Sequence, residues 1–134
     1  MRRNFRHWVI GAAAALAVVA TAESHHSYGA TYDVNGEVNL EGRLVQFRFN
    51  NPHVFVEIEA PDESGEMQRW SIEWSSTAAL VRQGIDRATL RPGDHVRLMG
   101  RPSRAPGEYR LLMVRLERPS DGLSWGDSRG EVTD

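Results

Sequence analysis

The chain has 134 residues, a formal net charge of −2 and no cysteine, and because lysine is also absent all 16 of its basic residues are arginines. The length allows one ordinary domain, and 40% apolar with 25% charged residues describes a chain that folds rather than a disordered one. The two absences exclude a disulfide framework, Cys-based zinc and iron–sulfur sites, a thiol nucleophile, a P-loop lysine and Schiff-base chemistry.

Residues 1–22 read as an export signal. Arg2, Arg3 and Arg6 form a basic start, Trp8 to Ala20 an Ala-rich apolar run, and Ala20 and Ala22 a small-x-small cleavage site. The run is shorter than the roughly 20 residues of a spanning helix, so cleavage and a periplasmic or secreted location are expected, with no stable membrane span afterwards. The ordinary secretory route is the default, although Arg2-Arg3-Asn4-Phe5 also resembles a twin-arginine signal. Loss of three arginines takes the net charge from −2 to −5. A mildly acidic exported domain is a poor candidate for binding nucleic acid.

Residues 23–36 are polar and aperiodic, an N-terminal arm. Five strand-like runs follow. In the first, Glu37 to Phe49, the apolar parity switches: Val38, Leu40 and Leu44 share one face, whereas Val45, Phe47 and Phe49 share the other. Gly42 just before the switch marks a bulge or sharp coil, as in one bent strand serving two parts of a small barrel. His53 to Ala60 alternates with Val54, Val56 and Ile58 inward; Glu66 to Trp74 alternates with Trp70, Ile72 and Trp74 inward. A short helix follows, capped by Ser75, Ser76 or Thr77 and ended by Gly84. After a compact turn over 85–90, His95 to Gly100 and Tyr109 to Glu117 are the last two strands. The segment after Pro119 reads as a flexible polar tail. Three strands, a helix and two strands predict a mainly β fold: a small five-stranded OB-like barrel over residues 37–118, with one short helix between strands 3 and 4. An open antiparallel sheet with one helix is the competing architecture.

Histidine supplies the candidate chemistry. Cleavage after Ala22 leaves Glu23-Ser24-His25 as a new terminus, whose amine, two backbone amides and imidazole offer four nitrogens in a plane to Cu(II) or Ni(II). Cleavage after Ser24 makes His25 terminal instead, and its amine and ring nitrogen can chelate one copper ion with a second imidazole completing the site. His53 opens the second strand on its outward face after a proline, which holds its backbone extended. His25, His26 and His53 together make a copper or zinc site if the arm folds back over the barrel. Otherwise His53 packs beside Phe55 or bonds the Asn50-Asn51 turn. His95 reads as a surface residue, and His7 leaves with the signal.

Other features weigh less. Outward Glu57, Glu59 and Glu73 make either an acid–base pair or a solvated face balanced by Arg69. Gly126-Asp127-Ser128-Arg129-Gly130 has the letters of a nucleophile elbow but no later His, and is rejected. Phe47, Phe49 and Phe55 with Arg43 and Arg48 resemble a base-stacking platform, which the acidic mature charge disfavours.

The landmarks His25-His26-Ser27-Tyr28, Asn51-Pro52-His53, Trp70-Ser71-Ile72-Glu73 and Pro92-Gly93-Asp94-His95-Val96, in this order, resemble a family of small exported bacterial proteins defined as a domain of unknown function. The resemblance covers roughly residues 25–118 and implies export and an OB-like barrel, with no established activity. The leading expectation is a non-enzymatic periplasmic binding module, with copper or another divalent metal held by His25, His26 and His53. The alternatives are an interaction module that docks a partner protein without metal, and a small enzyme dependent on metal or carboxylates.

Overall fold

The computed structural model describes residues 28–126. The expected leader, His25 and His26 lie outside the described residues, as does all of the rejected Gly-x-Ser-x-Gly segment beyond Gly126. In chain order the elements are α1 (Tyr28–Thr31), β1 (Val38–Arg48), β2 (Phe55–Pro61), β3 (Met67–Glu73), α2 (Thr77–Arg82), β4 (His95–Pro102), β5 (Arg110–Arg118) and β6 (Leu123–Trp125).

The strands hydrogen-bond in the order β3-β2-β1-β4-β5-β6, and β3 also pairs with β5. That last pairing is parallel, Ser71 to Glu73 against Arg110 to Leu112, and every other pairing is antiparallel. It closes the first five strands into the OB-like barrel, so the open sheet does not form. Closure hides sheet edges that would otherwise be open to other chains.

The parity switch in β1 has a local cause. Leu44 pairs with Ile58 and Gln46 with Glu57, so Val45 is an extra residue with no counterpart in β2. Such a bulge lets Leu44 and Phe49 both be buried although their spacing is odd. Residues 38–43 pair with β4 and residues 43–48 with β2, which makes β1 the shared wall of the barrel. The turn before β4 braces the bend: Leu44 N–H donates to the Asp94 carbonyl and Gly93 N–H to the Leu44 carbonyl.

Gly42 is needed for a reason different from the bulge. A Cβ at this position would lie 2.2 Å from the Glu59 carbonyl oxygen and 2.9 Å from Ala60 Cβ. Gly42→Ala is therefore expected to force β1 from β2 and to destabilise by about 1–3 kcal/mol, as overpacking does. Urea unfolding would show this as a lower midpoint with the slope unchanged.

Alternation fills the interior. Val54 just before β2, Val56, Ile58 and Ala60 on it, Trp70, Ile72 and Trp74 around β3, Val96 and Leu98 on β4, and Leu111, Met113 and Leu116 on β5 form one core. Leu80 of α2 joins it, with Ile85 and Leu90 from the following turn. The Ser76 side chain caps α2 by accepting from Ala79 N–H, and Gly84 at φ +82° turns the chain away.

Two peripheral segments are more ordered than their composition suggests. The segment after Pro119 turns back on itself, with Arg118 bridged to Asp121 and Gly122 at φ +76°, and β6 then pairs with the end of β5. Trp125 sits edge-on against Trp74 with ring centroids 4.8 Å apart. Aromatic burial thus overrides the polar composition of a segment expected to fray. The second segment is the part of the arm from Tyr28 to Gly36, which lies along the barrel. Tyr32 pairs with Ser103, Asp33 N–H donates to the Pro102 carbonyl, and Arg104 N–H to the Thr31 carbonyl. Among the described residues no helix is long and apolar enough to cross a membrane.

Candidate functional site

Glu73 ends β3 on the face pointing away from the core, opposite Phe55 of β2. Its parity suggested a solvated carboxylate, yet it is only 5% exposed and the only buried charged residue among those described. The arm accounts for the difference. Tyr32, itself 1% exposed, donates its hydroxyl to Glu73 Oε2. Arg110, at the start of β5, donates to the same oxygen at 2.7 Å, and His53 Nδ1 contacts Oε1. A strand, the lead-in to a second, the start of a third and the arm thus meet on one carboxyl group.

The electrostatics follow from this arrangement. Burial opposes ionisation of Glu73 most strongly, but the hydrogen bonds from Tyr32, Arg110 and His53 together outweigh it and hold the carboxyl below its usual range. Burial, and then the bond to Glu73, push the Tyr32 phenol far above its usual value. Tyr32 therefore stays a neutral donor. Arg110 also lies over the Tyr32 ring at 5.5 Å and the Phe55 ring at 6.0 Å, where the ring faces favour its charge. Its Nε is buried without a hydrogen-bond partner among the described residues, so its fixed position depends on the bond to Glu73 and the two rings.

His53 is held by the strands that hold Glu73. Val54 N–H donates to the Ser75 carbonyl and Trp74 N–H to the Val54 carbonyl, continuing the antiparallel register in which Phe55 faces Glu73, so His53, two residues before Phe55, is the diagonal same-face neighbour of Glu73. An ionised carboxylate only accepts, so Nδ1 carries the proton and, in the neutral ring, Nε2 carries the lone pair. Nε2 faces the Tyr28 hydroxyl at 3.5 Å, and the two rings lie 5.9 Å apart. The His53 side chain is 35% exposed, so the site opens to solvent on this side. The alternative of a bond to the Asn50-Asn51 turn is not realised, because Asn51 Oδ1 accepts from the Thr77 backbone N–H and hydroxyl instead.

The remaining candidates are separate. Register sets Glu57 opposite Ser71, Glu59 opposite Arg69 and Glu73 opposite Phe55, so no two of these carboxylates face each other directly. Glu57 is bound by Arg48 and Arg69, each at 2.9 Å, the balanced face that composition suggested. His95 is exposed and meets Glu41 at 2.8 Å. Among the described residues no group of three or more His, Cys, Asp or Glu is placed to hold a metal; a three-histidine centre requires His25 and His26, which lie outside them. Sequence reasoning missed Tyr28, Tyr32 and Arg110 as site residues. Tyr28 and Glu73 do lie in the short motifs that mark the chain, whereas Tyr32 and Arg110 lie in none.

No curated protein matches the chain. Among solved structures it is similar to the Saccharomyces cerevisiae mitochondrial single-stranded DNA-binding protein Rim1, at 14% identity and a TM-score of 0.44, covering 61% of this chain and 91% of that one. Residues 12–110, which run through the His53–Glu73 pair to Arg110, match a family model described as "Family of unknown function (DUF6152)", and the chain belongs to that family.

Proposed function

We propose that the protein is an exported, non-enzymatic module that binds copper, or another divalent metal, through His53 Nε2 together with His25 and His26. One observation carries this reading: the buried Glu73 carboxylate holds the His53 Nδ1 proton and leaves the Nε2 lone pair on the far edge of a partly exposed ring, facing the arm at Tyr28. A carboxylate behind an imidazole is the usual outer support of a metal-ligating histidine, because it selects the tautomer, orients the ring and raises its basicity. The placement of the arm supports the same reading. Tyr28, two residues after His26, faces Nε2, so the two preceding histidines are within one short stretch of chain from it. The charged start, apolar run and small-residue site at residues 1–22 support export.

Titration calorimetry with Cu(II) tests the assignment, on full-length protein after whatever processing its host performs and with the N-terminus determined by intact mass. One ion per chain is expected, with affinity at least about tenfold weaker in His53→Ala, since losing even an outer-shell partner costs 10–100-fold. The double variant His25→Ala with His26→Ala is expected to weaken binding as well. Binding by that double variant as tight as wild type would overturn the proposed ligand set.

A further inference from the structure

We infer that the groove between the β1–β2 turn and α2 binds a small organic monocarboxylate with an apolar body. The inference is independent of the metal reading and uses none of its residues. The groove has a volume of about 550 Å³, within the roughly 300–1,000 Å³ typical of small-molecule sites. Phe49, Ala78 and Val81 give it an apolar lining, and Asn51, Thr77 and Arg87 bring polar groups to the same space. Val81 is 56% exposed, although the preceding Leu80 belongs to the core. An apolar side chain left open beside a few convergent polar groups is the make-up of a ligand site.

The polar groups fix the charge of the ligand. Arg87 donates one N–H to the Phe49 carbonyl at 3.0 Å, which holds the guanidinium at the groove, and it pairs with no carboxylate among the described residues. Its neighbour Asp86 instead accepts from Ala88 N–H and the Thr89 hydroxyl. Asn51 is oriented by Thr77. A backbone N–H can only donate, so the Asn51 atom that meets Thr77 N–H, and its hydroxyl at 2.7 Å, is Oδ1. The Asn51 NH₂ group is thereby left a donor with no protein acceptor among the described residues. No acidic residue among those described lines the groove, although the chain as a whole carries a net charge of −2. A carboxylate accepts from guanidinium and amide donors alike, and its bond to arginine is charge-assisted. With one cation in the lining, a monoanion is balanced where a phosphate dianion is not, and the apolar body of the ligand covers Val81.

Phenylacetate is the probe, with phenylacetamide as its neutral counterpart and acetate as the carboxylate without the body. In ¹H–¹⁵N spectra of the processed full-length protein, phenylacetate is expected to shift the amides of Asn51, Thr77, Ala78, Val81 and Arg87 in a saturable way. Phenylacetamide and acetate are expected to bind about tenfold more weakly or less well still, since each lacks one half of the recognition. Arg87→Gln is expected to weaken phenylacetate about tenfold. Because Arg87 also ties the turn through Phe49, Val81→Ser is the second variant. Its side chain is exposed, so the melting temperature should hold while phenylacetate binds about threefold or more weakly. Shifts that fail to saturate or that fall elsewhere overturn the assignment. So does an amide or an acetate that binds as tightly as phenylacetate, or wild-type affinity in both variants.

Discussion

Glu73→Gln is expected to lower the unfolding free energy by about 2–3 kcal/mol, which for a domain of this size corresponds to a melting temperature roughly 10–20 °C lower. The substitution keeps the shape of the side chain and changes what it can accept. Glu73 receives the Tyr32 hydroxyl and Arg110 on one oxygen and His53 Nδ1 on the other. Glutamine replaces one of those oxygens by an NH₂ group, so at least one donor faces a donor in a buried site, and Arg110 loses its counter-charge. Breaking a fully buried ion pair costs about 3–5 kcal/mol. The figure here is smaller because the side chains of Arg110 and His53 are 38% and 35% exposed and water can replace part of what they lose. The effect should depend on pH in a set direction. The folded Glu73 carboxyl lies below its ordinary value of 4.5, so between the two values the unfolded chain binds the extra proton and stability rises with pH. The stabilisation from ionised Glu73 is complete above the ordinary carboxylate range and is lost as pH falls through the depressed folded value. Denaturant midpoints for wild type and Glu73→Gln, measured from about pH 7 downward, should therefore approach each other once pH falls below the ordinary 4.5 and converge as it passes through the depressed folded value. A gap of constant size across that range would show that the carboxylate charge is not what the network requires.

Trp74→Ala is expected to be more damaging still, at about 3–5 kcal/mol, the range for removing a large aromatic side chain from a packed core. Trp74 is 1% exposed and lies between Phe47, at 6.4 Å between ring centroids, and Trp125, at 4.8 Å. Its removal leaves a cavity and also releases Trp125, whose other anchor is a hydrogen bond from its indole N–H to Gln83 Oε1. The pairing of β6 with β5 should then fail, and hydrogen exchange of the amides from Leu123 to Trp125 should rise ahead of global unfolding. Trp74→Phe is expected to cost much less. The indole N–H of Trp74 is buried without a hydrogen-bond partner among the described residues, so phenylalanine removes an uncompensated polar group as well as apolar area. If Trp74→Phe were as destabilising as Trp74→Ala, shape rather than the unpaired N–H would govern the position.

The barrel was legible because the period-two alternation in β2, β3 and β4 is local and strong, and because the break of parity in β1 points to a bulge. Val45 confirms that reading as the unpaired residue. The role of Gly42 was not legible. Its requirement comes from the Glu59 carbonyl, which is distant in sequence and approaches only once β1 and β2 pair. β6 escaped notice for a related reason: Leu123-Ser124-Trp125 is too short to show a period, and its order depends on Trp74, about fifty residues earlier.

The candidate site divides in the same way. Composition and spacing marked His53 as a strand-borne imidazole and excluded every cysteine- or lysine-based chemistry. They also predicted the succession of three strands, a helix and two strands and the bend of β1, since burial of alternate residues is written along each strand. What alternation cannot state is which outward-facing residue becomes covered. Glu73, Glu57 and Glu59 have the same parity, and only the path of the arm over the barrel distinguishes the buried, triply bonded Glu73 from the arginine-balanced Glu57 and the exposed Glu59. The identity of the carboxylate behind His53, and the presence of Tyr28, Tyr32 and Arg110 around it, are properties of contacts between segments far apart in the chain, and those contacts exist only in the folded molecule.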